Sequence, residues 1–126
     1  MDISDESKID VYLDEDGIIN LTPTGDMARD VAVIIGSKYD KLALRMRNEG
    51  RPVLVFADLS RLGKVNSEAR KVAGSFDAKF DAYVIYGARP LMKMLLQLAA
   101  HVNKGLSRLK VYDDKEAGLA YLKSLK

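Results

Sequence analysis

The residues best placed to do chemistry lie in one stretch. Between Asp58 and Glu68 the chain reads DLSRLGKVNSE, which brings Asp58, Ser60, Arg61, Lys64, Asn66, Ser67 and Glu68 close together in sequence. A serine near an aspartate raises the question of a nucleophile. Ser60 or Ser67 could join the single histidine, His101, in a Ser–His–Asp set, but no nucleophile-elbow sequence surrounds either serine. There are no cysteines, so thiolate chemistry and disulfides are excluded, and one histidine argues against a transition-metal centre. The acidic run Asp14-Glu15-Asp16-Gly17 lacks the later ligands of a calcium loop and reads as a solvated turn. Neither a Walker loop nor a dinucleotide fingerprint is present. The expectation is a protein that is not an enzyme and that uses no metal and no cofactor.

The elements that must position this stretch follow from local patterning. Val53 to Phe56, behind Pro52, is a short continuous apolar run, the pattern of a strand buried on both faces. It ends in Asp58-Leu59-Ser60 and passes through Gly63 to Asn66-Ser67-Glu68, which reads as a helix start. Sites in open α/β sheets lie beyond the carboxyl ends of strands, which is where Asp58 to Glu68 falls.

Upstream, residues 1–8 are polar and read as a loose N-terminus ahead of a domain spanning 9–126. Ile9 to Leu13 and Ile18 to Thr22 alternate around the Asp14–Gly17 turn and predict a β-hairpin. Asp26 is placed to cap a long amphipathic helix. Its stripe is Met27, Val31, Ile34, Ile35, Leu42, Ala43 and Met46, with Tyr39 nearby, and it closes near Gly50.

Downstream, the helix from Ser67 carries Ala69, Val72, Ala73 and Phe76 on its buried side, and Asp81 to Tyr86 is a second apolar strand. Pro90 suits the first position of another helix. Leu109 to Tyr112 reads as a last strand, and Asp113 with Glu116 as the start of a closing helix. The order ββαβαβαβα implies one α/β domain with a mostly parallel sheet, an N-terminal hairpin and covering helices.

Leu91 to Val102 is the most apolar segment. Lys93, Gln97 and His101 form a narrow wet stripe on it, leaving more apolar surface than one sheet face requires. The surplus, at Leu91, Met92, Met94, Leu95, Leu98 and Val102, is a candidate lining for a small apolar ligand, and equally a contact with a second copy, a membrane surface or the chain's own core.

The net charge of +2 is uneven. Residues 1–30 carry nine acidic and two basic side chains, and the rest nine acidic and eighteen basic. Arg61, Lys64, Arg70 and Lys71 surround the central stretch, yet no aromatic stacking platforms accompany them, which argues against nucleic acid. The acidic N-terminus lacks the apolar core of a signal peptide, and no apolar run reaches membrane-spanning length. A cytoplasmic protein is expected, with peripheral membrane contact left open.

The layout from Ile9 onward, and Val53 to Arg70 above all, resembles the STAS fold of bacterial anti-sigma factor antagonists, and more closely the SpoIIAA-like group. In antagonists of that type a buried strand ends in an Asp-Leu-Ser-like turn. Asp-Ser-Ser-Gly follows at a helix start, and its second serine is phosphorylated by an anti-sigma kinase. Asp58-Leu59-Ser60 and Asn66-Ser67-Glu68-Ala69 occupy those places here, with Glu68 at the phosphorylated position. Arg89-Pro90 fits the same layout. The resemblance implies a binding module, either a carrier or sensor of a small apolar ligand related in fold to CRAL-TRIO lipid-binding domains, or an antagonist-like module. The second would meet a protein regulator through Asp58, Ser60, Asn66, Ser67 and Glu68. A homodimer is compatible with both.

Overall fold

Leu54–Asp58 (β4) is the middle strand of a five-stranded sheet. The structure is a computed structural model describing residues 9–75, 80–90 and 109–126. The elements are β1 (Ile9–Leu13), β2 (Ile18–Pro23), β3 (Gly25–Met27), α1 (Arg29–Asn48), β4, β5 (Leu62–Val65), α2 (Ser67–Ser75), β6 (Ala82–Tyr86), β7 (Leu109–Tyr112) and α3 (Lys115–Lys123). The main sheet runs β1-β2-β4-β6-β7, antiparallel only at the β1–β2 hairpin. The short strands β3 and β5 pair in parallel as a separate sheet.

The expected alternation of buried strands and covering helices is therefore present among the described residues, and the helix expected at 91–102 lies outside them. Side chains of successive strand residues point to opposite faces. Val53, Val55 and Ala57 pack with Ile19, Leu21, Ile85 and α1 residues Tyr39, Leu42, Ala43 and Met46. Leu54 and Phe56 pack with Ile18, Ala82, Val84 and α3 residues Leu119 and Leu122 on the other face. Residues 53–57 are at most 2% exposed, as a strand covered on both sides must be.

The hairpin turn forms as expected. Gly17 adopts φ +78°, and the Asp14 carboxylate accepts from the Asp16 and Ile18 amides and from the Asn20 side chain. Asp16 ion-pairs with Lys123 and Lys126, which holds its carboxyl below the ordinary range and ties the end of α3 to the turn. Among the described residues no cluster of His, Cys, Asp and Glu could hold a metal, and no helix is long and apolar enough to cross a membrane.

Three boundaries differ from expectation. Asp26 does not cap α1; it lies in β3 with Met27, and α1 begins at Arg29 after an Ala28 that offers no side-chain cap. The closing helix is capped by Asp114, not Asp113, through a bond accepted from the Glu116 amide. The strands β3 and β5 were not anticipated, because three or four residues containing glycine carry no period. Val72, Ala73 and Phe76 lie outside the described side chains.

Packing is tight where α3 crosses the sheet. A Cβ on the buried Gly118 would lie 2.8 Å from Val84 Cγ1 and 3.4 Å from Phe56 Cε2. Alanine favours a helix by about 1 kcal/mol over glycine, but overpacking costs about 1–3 kcal/mol. Gly118→Ala is therefore expected to lower stability in urea denaturation, and an unchanged midpoint would mean that α3 sits farther from the sheet.

Burial pushes the Tyr39 phenol up from 10.0 to about 12, and raises that of the partly buried Tyr83 beside it as well. Both bind their proton more tightly folded than unfolded. Their contribution is complete below the unfolded value of 10.0 and is lost as pH rises through about 12. Ultraviolet titration should show these phenols ionising only as the protein unfolds in alkali, and Tyr39→Phe should remove one of the delayed steps.

Candidate functional site

The carboxyl end of β4 is built rather than loose. Asp58 Oδ1 accepts from the Ser60 amide at 3.0 Å and from the Ser60 hydroxyl at 2.6 Å. The Leu59 amide donates to the Tyr86 carbonyl, which anchors the turn to β6. Behind it, Gly87 adopts φ +77°, and any Cβ there would lie 2.8 Å from the Ser60 amide nitrogen and Cβ. The turn needs glycine at 87 for both conformation and space.

The segment then enters β5. The Gly25 amide donates to the Arg61 carbonyl and the Asn66 amide to the Met27 carbonyl, so β3 brackets β5 at both ends. Asp26 Oδ1 accepts from the Lys64 amide at 2.8 Å, across the irregularity in the β3–β5 register. A Cβ at Gly63 would collide with Asp26 Oδ1 and approach the Gly25 backbone at 3.0 Å. Arg89 Nη2 donates to the Leu62 carbonyl and Arg70 Nε to the Val65 carbonyl, at 3.3 and 3.2 Å.

Asn66 closes the segment as the cap of α2. Its Oδ1 accepts from the Ala69 amide at 2.8 Å, and its carbonyl accepts from Arg70. Ala69 is fully buried, which fixes the rotation of the helix. Ser67 and Glu68 are turned out to solvent in its first turn, without side-chain hydrogen bonds or ion pairs among the described residues. The Glu68 carboxylate sits where the helix dipole favours negative charge.

The structure thus brings the expected residues together as one strip: Asp58 and Ser60 as a bonded pair, Asn66 as a cap, Ser67 and Glu68 as exposed side chains. Ser60 and Asn66 are engaged in building the backbone. Sequence reasoning missed Asp26, Gly63 and Gly87. Their signal was available only as turn-type residues, since Asp26 before an apolar run also suits a helix cap. Leu91, Met92, Met94, Leu95, Leu98, Val102 and His101 lie outside the described residues.

No family model matches the chain, and no curated protein matches it. Eleven chains among solved structures do, two of which follow. One is an uncharacterized protein of the DUF3478 family with a SpoIIAA-like fold from Shewanella loihica PV-4. It is 17% identical, with 90% of this chain and 91% of that chain covered and a TM-score of 0.59. The other is a proposed anti-sigma factor antagonist from Thermotoga maritima. It is 13% identical, with 94% and 97% covered and a TM-score of 0.65.

Removing the Asn66 cap should cost about 1 kcal/mol, so Asn66→Ala is expected to lower the urea midpoint while Asn66→Asp retains it. Equal losses in both variants would mean that the amide nitrogen, not Oδ1, carries the role. The strand order, the covered β4 and the likeness to both structures agree, and the chain has the SpoIIAA-like α/β fold of STAS domains.

Proposed function

We propose that this protein is a non-enzymatic regulatory module that binds a partner protein through the strip Asp58 to Glu68, in the manner of an anti-sigma factor antagonist. The observation that carries the reading is that Ser67 and Glu68 stand exposed and unengaged on a backbone braced from β3, β6 and Arg89. A surface held in one geometry loses little conformational entropy on docking. The description of the Thermotoga maritima protein as a proposed anti-sigma factor antagonist supports the same direction.

Residue 68 is a glutamate and has no hydroxyl to phosphorylate. Partner capture is therefore not switched by phosphorylation at that position. An apolar-ligand carrier would rest on residues 91–102, outside the described residues, and draws no support from the rest of the chain.

The test is a photo-crosslinking amino acid placed at Ser67 in cells, with the exposed Lys41 on α1 as a control position. The expected result is one protein crosslinked from position 67 and not from 41, identified by mass spectrometry and lost in Glu68→Lys. The same products from both positions, or an unchanged product in Glu68→Lys, would leave the strip with a purely architectural role.

A further inference from the structure

We infer that the partner-binding strip is an acceptor for an acidic protein segment, with Arg61, Lys64, Arg70, Lys71 and Arg89 as the contacting cations. The inference rests on the reading of this strip as a protein-binding surface and names the chemistry of what it binds.

All five cations are exposed and gather around one short strand. Arg61 precedes β5, Lys64 lies within it, and Arg70 and Lys71 follow one turn into α2. Arg89 arrives from beyond β6 and bonds to β5 at Leu62. Elsewhere several cations are matched: Arg45 and Arg51 meet Glu49, Arg29 meets Asp30, and Lys123 and Lys126 meet Asp16, while lysines unpaired among the described residues, such as Lys41 and Lys115, stand apart on α1 and α3. None of the five has an ion pair among the described residues. Asp26 and Asp58 are bonded into the strip, accepting from the Lys64 amide and from Ser60, and with Glu68 they set three carboxylates against the five cations. The patch therefore carries a net positive charge among the described residues.

Two of the cations are also held in place. Arg70 and Arg89 each donate one N–H to a β5 carbonyl, which fixes the guanidinium planes and leaves further N–H donors for a carboxylate. A lysine could supply the charge but not this fork.

The remaining pattern selects protein over the other polyanions. Glu68 lies beside Ser67 in the same first turn and would repel a continuous phosphate chain, whereas a protein can set a cation opposite it. Among the described residues the exposed large hydrophobics are Tyr12, Val33, Leu44 and Leu125, and none lies in β5 or the first turn of α2. Among those residues neither stacking platforms for bases nor apolar anchors for a bilayer accompany the cations.

The experiment uses the full chain and a fluorescein-labelled Glu-rich peptide, with a twin carrying Gln for Glu, read by anisotropy at low and high sodium chloride. Expected are binding of the Glu peptide alone, loss at high salt, and ~tenfold weakening in the double variant Arg61→Glu/Lys64→Glu, as exposed charge contacts allow. Lys41→Glu/Lys115→Glu, on exposed positions of α1 and α3, should bind as the parent does. Arg70→Lys should weaken binding although the charge is kept. Glu68→Lys, which should lose the natural partner, should gain affinity for the Glu peptide. That opposite sign separates failure of this inference from failure of the partner-binding reading, which crosslinking from position 67 reports by itself. Equal binding of the Gln twin, equal weakening by the α1/α3 variant, or tighter binding of duplex DNA or phosphatidylserine vesicles than of the peptide would each overturn it.

Discussion

β4 is buried on both faces, and the layering of the fold follows from that burial. Five consecutive residues, Val53 to Ala57, are almost without solvent contact, and a single covering layer could shield only alternate ones. Helices must lie on both sides, and parallel neighbours permit this because each crossover returns the chain over a face. α1 supplies one layer through Tyr39, Leu42, Ala43 and Met46, and α3 the other through Leu119 and Leu122. The buried strand also positions the exposed strip. Asp58 is the first residue past the sealed run, so the chain must turn at that point.

The strip itself is governed by hydrogen bonding more than by apolar burial. Backbone groups near a protein's core need partners, and here side chains of Asp26, Asp58, Asn66, Arg70 and Arg89 provide them. The result is an exposed segment with the regularity of a small sheet. It is short, polar and covered by charged side chains, which suits it to selective contact and protects it from indiscriminate strand pairing.

Electrostatics divides the molecule in the same way. Several cations on the outer faces of the fold are paired with neighbouring carboxylates, while those around β5 are unpaired among the described residues. Exposed pairs contribute little to stability, so five clustered cations without ion pairs cost the fold little.

Local patterning was enough for the strands and helices that alternate among the described residues, the buried status of Val53 to Phe56, the glycine turn at Asp14–Gly17 and the helix start at Asn66. Each rests on a local rule, whether period, turn chemistry or capping, that operates within a few residues. The roles of Asp26, Gly63, Gly87 and Arg89 come instead from contacts between distant parts of the chain. Asp26 bonds to an amide 38 residues away, Gly87 is required by the proximity of Ser60, and Arg89 reaches a carbonyl 27 residues back. A side chain that suits both a cap and a cross-strand bond is assigned by whichever partner the fold brings to it. That proximity is a product of sheet order and crossover, which no window of sequence contains.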